Sequence, residues 1–173
     1  MLNNLTLVLG GAGSGKSLWA ETLVTNSAQS RIYVATARIW DDEMRSKVEN
    51  HRVQRGPDWT TIEAPLNISE ALASAKPDQA VLIDCATMWL SNHLLDGNDL
   101  SREGPVFLSA LMACKAPVVV VSNEVGMSVV PENALARQFR EAQGALNQRI
   151  AAQADLVVAV MAGLPLALKG TLP

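Results

Sequence analysis

The stretch Gly10-Gly11-Ala12-Gly13-Ser14-Gly15-Lys16-Ser17 fits the pattern G-x-x-x-x-G-K-[ST], and its reading decides the fold. Leu5-Thr6-Leu7-Val8-Leu9 before it reads as a buried strand, and Leu18 to Val24 after it reads as a helix. That strand–loop–helix setting is what a phosphate-binding loop requires. Each residue type has its own reason to be there. The glycines let successive backbone N–H groups turn inward on a polyphosphate with no Cβ in the way. The helix that follows aims its partial positive end at the same anion. Lys16 then reaches the β- and γ-phosphates, and Ser17 holds a Mg²⁺. The expectation is a nucleotide-binding protein.

Outward from the loop, short β-branched runs recur at Leu5–Leu9, Arg31–Ala35, Thr60–Glu63, Ala80–Asp84, Val118–Ser122 and Leu156–Met161. Helical patterns separate most of them, among them Ser69–Ala75, Met88–Leu95 and a long helix over Glu132–Ala152. A last edge strand is placed at Leu166–Lys169. The expected fold is therefore α/β: a single-domain phosphate-loop NTPase-like unit over residues 1–173, with a mostly parallel central sheet and helices on both faces. Length and composition agree. The 173 residues suffice for one core, and 49% apolar against 18% charged residues argues against disorder. A net charge of −3 argues against a general nucleic-acid or anionic-membrane binder. Cys85 and Cys114 lack metal-like spacing and read as structural thiols in a reduced compartment. The start carries no basic n-region, and no apolar run is long enough for a membrane span, so a cytoplasmic protein is expected.

The second strand ends in Thr36-Ala37-Arg38. Strand carboxyl ends line the crevice of doubly wound sheets, so Thr36 and Arg38 lie near the phosphate loop if the first two strands are neighbours. A solvated loop cation is the other reading of Arg38. Next, Asp41-Asp42-Glu43 followed by Arg45 and Lys47 matches a helix dipole, and Met44 and Val48 set its apolar stripe. His51 falls on that stripe near the helix end, flanked by Arg52 and Arg55 and closed by Gly56-Pro57. Nearby cations favour a neutral, nucleophilic imidazole and bind a triphosphate. A structural histidine is the alternative.

Asp84 closes the apolar strand Ala80-Val81-Leu82-Ile83, where phosphate-loop folds place a Mg²⁺-orienting carboxylate. The competing reading is a cap on the next helix. Glu124, in Asn123-Glu124-Val125-Gly126, reads either as a substrate or metal contact or as a carboxylate fixing its own loop. His93 reads as structural, and Trp19, Trp40, Trp59 and Trp89 as packing residues.

An ordered set of segments carries a family resemblance. It comprises the phosphate loop, Tyr33-Val34-Ala35-Thr36-Ala37, Asp41-Asp42-Glu43-Met44, His51-Arg52, Arg55-Gly56-Pro57, Trp59-Thr60, Ser122-Asn123-Glu124-Val125-Gly126, Pro131-Glu132-Asn133 and Asn147-Gln148-Arg149. Together these resemble the bifunctional enzymes adenosylcobinamide kinase / adenosylcobinamide-phosphate guanylyltransferase of cobalamin biosynthesis, from the first strand to about Val160. The resemblance implies two reactions. A nucleoside triphosphate, GTP or ATP, phosphorylates the aminopropanol hydroxyl of adenosylcobinamide. GMP is then transferred from GTP to that phosphate through a guanylylated histidine, which matches His51. It also implies GTP contacts at Gly10 through Ser17, at Ala35, Thr36 and Ala37, at Arg52, Val53, Gln54 and Arg55, at Glu63 and at Asp84, and a homo-oligomer, a trimer. Two departures from the family are visible: Gly13 stands where relatives usually carry arginine, and Leu95–Glu103 is short. A monofunctional small-molecule kinase and a GTP-binding regulatory module are the alternatives. The chain lacks the guanine-reading Asn-Lys-x-Asp and a switch-like Asp-x-x-Gly after a strand, which weighs against the second.

Overall fold

Val118-Val119-Val120-Val121 is apolar on both faces of a strand, a pattern that needs cover on both sides. A computed structural model, describing residues 2–28, 30–38 and 58–173, places it at the centre of a seven-stranded sheet. The strands are β1 (Leu5–Gly10), β2 (Ser30–Ala35), β3 (Trp59–Glu63), β4 (Gln79–Asp84), β5 (Val118–Asn123), β6 (Leu156–Met161) and β7 (Leu164–Lys169). Their order across the sheet is β3-β2-β4-β5-β1-β6-β7. All neighbours run parallel except β6 and β7. The described helices are α1 (Lys16–Thr25), α2 (Ile68–Ala73), α3 (Ala86–Leu95), α4 (Leu100–Ala113) and α5 (Ala134–Gln153).

Strand alternation sorts the core into two layers. Leu7, Ile83, Val118 and Val120 face α2–α5 and meet Trp89, Phe107, Leu111 and Ile150. Val8, Leu82, Val119, Val121 and Val158 face α1 and meet Ala20 and Val24. Trp89 anchors the first layer. Its ring lies 4.4 Å from Phe107 and 4.5 Å from His93, and its indole N–H donates to the Leu66 carbonyl at 2.7 Å. His93 is therefore a core residue, with Asn98 on Nδ1 and the Leu66 carbonyl near Nε2.

Two sequence readings change. β1 and β2 are not neighbours, since β5 and β4 lie between them, so the proximity argued for Thr36 and Arg38 does not hold. The last strand begins earlier than expected, at Leu164, because Ala162 and Gly163 at φ 51° and 77° close a two-residue hairpin with β6. The expected helix over residues 41–52 lies outside the described residues.

Candidate active site

The phosphate loop bridges the end of β1 and the start of α1. Gly15 caps α1 at φ 90°, and Gly13 sits at φ 69°, both in the left-handed region that glycine adopts freely. Gly10 is required for space. A Cβ there would lie 2.3 Å from the Ser14 Oγ and 2.7 Å from the Val160 carbonyl oxygen. The loop is tied internally by Ser14 N–H to the Gly11 carbonyl at 3.3 Å, and Lys16 Nζ donates to that same carbonyl at 3.1 Å. The β6–β7 hairpin holds it from outside: Gly163 N–H donates to the Ser14 carbonyl at 2.8 Å, and a Cβ on Gly15 would come within 3.1 Å of Gly163 Cα. A Cβ at Gly13 meets nothing within 4 Å, so an arginine there has room for its Cβ but strains its backbone.

The other expected site residues end the neighbouring strands in register. Gly10 pairs with Asn123, Asp84 with Val121, and Ala35 with both Asp84 and Glu63. Strands lie about 4.8 Å apart, which puts Asp84 ~10 Å to the side of β1 across β5, level with Val8 and two residues short of Gly10. By alternation, Asn123 and Asp84 point to the α1 face, with Val119, Val121 and Leu82. The carboxyl edge of the sheet thus carries the loop, Asn123, Asp84, Ala35 and Glu63 in a stepped row, the last three level with one another and two residues short of Gly10 and Asn123.

Asp84 does not cap α3. That position belongs to Cys85, whose Sγ accepts the Met88 N–H at 3.5 Å. One Asp84 carboxylate oxygen accepts the Tyr33 hydroxyl at 3.0 Å. Burial first, and the Asp84 charge second, push the Cys85 thiol up to about 11. Thr36 is buried and its hydroxyl is used within the fold, accepting Cys85 N–H and donating to the Cys85 carbonyl, both at 2.7 Å. Arg38 is forked onto Asp96 at 2.7 and 2.5 Å, which holds the Asp96 carboxyl below the usual range. Glu124 accepts the Gly126 N–H at 2.5 Å and so fixes its own loop, while its backbone N–H donates to the Gly10 carbonyl at 3.0 Å. His51, Arg52, Val53, Gln54 and Arg55 lie outside the described residues.

Beneath the row lies a buried polar network that sequence reasoning misses. Ser122 Oγ donates to Asn147 Oδ1 at 2.6 Å, and Gln143 Nε2 donates to both at 2.9 Å. Asn147 Nδ2 donates to the Asn123 carbonyl at 3.0 Å, and Asn123 N–H donates to Thr87 Oγ1 at 2.8 Å. The network clamps the end of β5 between α3 and α5. A signal for it exists, since Gln143 and Asn147 share a helix face with the buried Leu146 and Ile150.

Among the described residues, no group of three or more His, Cys, Asp or Glu side chains is arranged to hold a metal ion alone. A hydroxyl at Ser17 and a carboxylate at Asp84 on one edge fit Mg²⁺, which takes few protein ligands and completes its shell with phosphates and water. No described helix is long and apolar enough to cross a membrane.

Comparison with known proteins follows the same lines. The chain is similar to an ATPase from the type III secretion system of pathogenic bacteria, with TM-score 0.57, 11% identity, and 96% of this chain covering 57% of that one. It also resembles a second solved ATPase domain, with TM-score 0.50, 10% identity, and coverage of 91% and 69%. At such identities these likenesses show the phosphate-loop α/β fold alone. Among curated relatives it is 39% identical to the bifunctional adenosylcobalamin biosynthesis protein CobU of Escherichia coli (strain K12), over 95% of this chain and 99% of that one. It is 41% identical to the bifunctional adenosylcobalamin biosynthesis protein CobP of Pseudomonas aeruginosa PAO1, over 95% and 96%. The family described as cobinamide kinase / cobinamide phosphate guanyltransferase matches residues 6–168. The chain belongs to that family of kinases and nucleotidyltransferases.

Proposed function

We propose that the chain phosphorylates adenosylcobinamide and then guanylylates the product. The observation that carries this reading is the stepped row at the carboxyl edge: a phosphate loop opening α1, with Asp84, Ala35 and Glu63 level with one another on β4, β2 and β3.

In the first reaction the aminopropanol hydroxyl oxygen attacks the γ-phosphorus of GTP or ATP. The bond from γ-phosphorus to the bridging oxygen breaks, the nucleoside diphosphate leaves, and the hydroxyl proton is released. Lys16 and the loop amides take up charge on the β- and γ-phosphates, for which Lys16 must leave the Gly11 carbonyl. Ser17 and Asp84 hold the Mg²⁺, whose chemistry is to neutralise and align the phosphates. In the second reaction a ring nitrogen of His51 attacks the α-phosphorus of GTP and pyrophosphate leaves. The phosphate oxygen of adenosylcobinamide phosphate then displaces the imidazole, which regenerates His51 and yields adenosylcobinamide-GDP. Splitting one displacement into two is the logic of covalent catalysis. Arg52 and Arg55 neutralise the pyrophosphate, and Ala35, Thr36, Ala37, Val53, Gln54 and Glu63 surround the nucleotide. Thr36 does so from within the fold, its hydroxyl bound to Cys85, its N–H to the Asp84 carbonyl at 3.3 Å and its carbonyl to Asn92 Nδ2 at 2.8 Å.

The chain is further proposed to act as one domain in the cytoplasm and as a homo-oligomer, a reading supported by the exposed Leu164, Leu166 and Leu168 on edge strand β7. GTP labelled at the α-phosphate tests the chemistry. Wild-type protein should retain acid-labile label, His51→Ala should retain none while still phosphorylating adenosylcobinamide, and Lys16→Ala should lose phosphorylation while staying folded. No acid-labile label on wild type, with His51→Ala making no difference, would sink guanylylation and leave the monofunctional kinase.

A further inference from the structure

Asn123 ends β5 directly beside the first residue of the phosphate loop, and its backbone is fixed on every side. Its N–H donates to Thr87 Oγ1 at 2.8 Å, its carbonyl accepts Asn147 Nδ2 at 3.0 Å, and the next N–H bonds the Gly10 carbonyl at 3.0 Å. The side chain is different. Its Oδ1 is buried without a hydrogen-bond partner among the described residues, and neither end of the carboxamide bonds any of them. A half-buried carboxamide held so firmly and left unpaired calls for a partner from outside the chain. The two ends of a carboxamide interchange by a half-turn, so the group can present either N–H donors or its oxygen to that partner.

Position selects the partner. β5 lies between β1, which ends in the phosphate loop, and β4, which ends in Asp84. On the reading that the loop holds a triphosphate and Asp84 its Mg²⁺, the terminal phosphate lies between them, over the end of β5. We infer that the Asn123 carboxamide donates an N–H hydrogen bond to the terminal phosphate of the bound nucleotide, and so tells a triphosphate from a diphosphate. This rests on the phosphate-loop reading but goes beyond it, because the loop and Lys16 alone would hold both nucleotides.

Isothermal titration with GTP and with GDP, each with Mg²⁺, tests the contact on wild type, Asn123→Ala and Asn123→Asp. Neither substitution removes a backbone bond, and Asn123→Asp keeps the shape while placing a carboxylate against the phosphate. A direct contact predicts that Asn123→Ala weakens GTP about tenfold or more with GDP near wild type. Asn123→Asp should weaken GTP further still. The reverse order, with Ala worse than Asp and both nucleotides weakened alike, overturns the contact in favour of a structural residue. GTP and GDP affinities unchanged in both variants also overturn it. Failure of the wild type to bind either nucleotide overturns the phosphate-loop reading itself, and this contact with it.

Discussion

At the scale of single residues, Cys85 shows how the edge of the sheet is built to resist change. Its thiol caps α3 and is pushed up to about 11 by burial and the neighbouring Asp84. A thiol with a raised folded-state value keeps its proton after the unfolded chain has lost its own. The stability it contributes is complete below the ordinary thiol range, about pH 8.5, and is lost as pH rises toward 11. Chemical denaturation followed from about pH 8 to about pH 10.5 should therefore show falling stability, with a shallower fall in Cys85→Ala. An equal slope in both proteins would show that Cys85 is not the group responsible. Gly13 makes the complementary point: glycine relaxes a left-handed position at φ 69°, where the arginine expected from the family resemblance would strain the backbone.

At the scale of elements, β5 depends on α5. Asn147→Ala removes the donor to the Asn123 carbonyl and the acceptor for Ser122 and Gln143, leaving buried groups unpaired. A loss of about 1–3 kcal/mol in urea denaturation is expected, with nucleotide affinity reduced as the end of β5 loosens. A stability loss below a few tenths of a kcal/mol would show that the network is slack. Elements of this kind are only partly legible in the sequence. Strands β1, β2, β4, β5 and β6 can be read to within a residue at each end, because buried parallel strands are continuous apolar runs bounded by turns. β7 reads short because Pro165 obscures its beginning, although proline is tolerated on an edge strand. α4 has no legible boundary, since Gly104 and Pro105 lie inside it. Neighbour relations are harder still. Nothing local in β1 or β2 says that β4 and β5 separate them, and the long-range register alone shows that Thr36 is turned into the core at Cys85.

At the scale of the whole molecule, one row of strand ends gathers the loop, Asn123, Asp84, Ala35 and Glu63, and a nucleotide spanning that row should stabilise the entire fold. Binding to the native state alone contributes about 2.7 kcal/mol at a ligand concentration about 100 times Kd. GTP with Mg²⁺ should accordingly raise the thermal midpoint of wild type and leave that of Lys16→Ala where it was. A shift in the variant equal to that of wild type would mean that the stabilising nucleotide sits elsewhere. The hairpin that holds the loop adds a consequence in time. Gly163, which grips the Ser14 carbonyl, lies far along the chain from it and is made long after it. A polypeptide still growing on the ribosome therefore has its nucleotide cradle open on one side, and capture of GTP in its final geometry waits until synthesis has passed the β6–β7 turn.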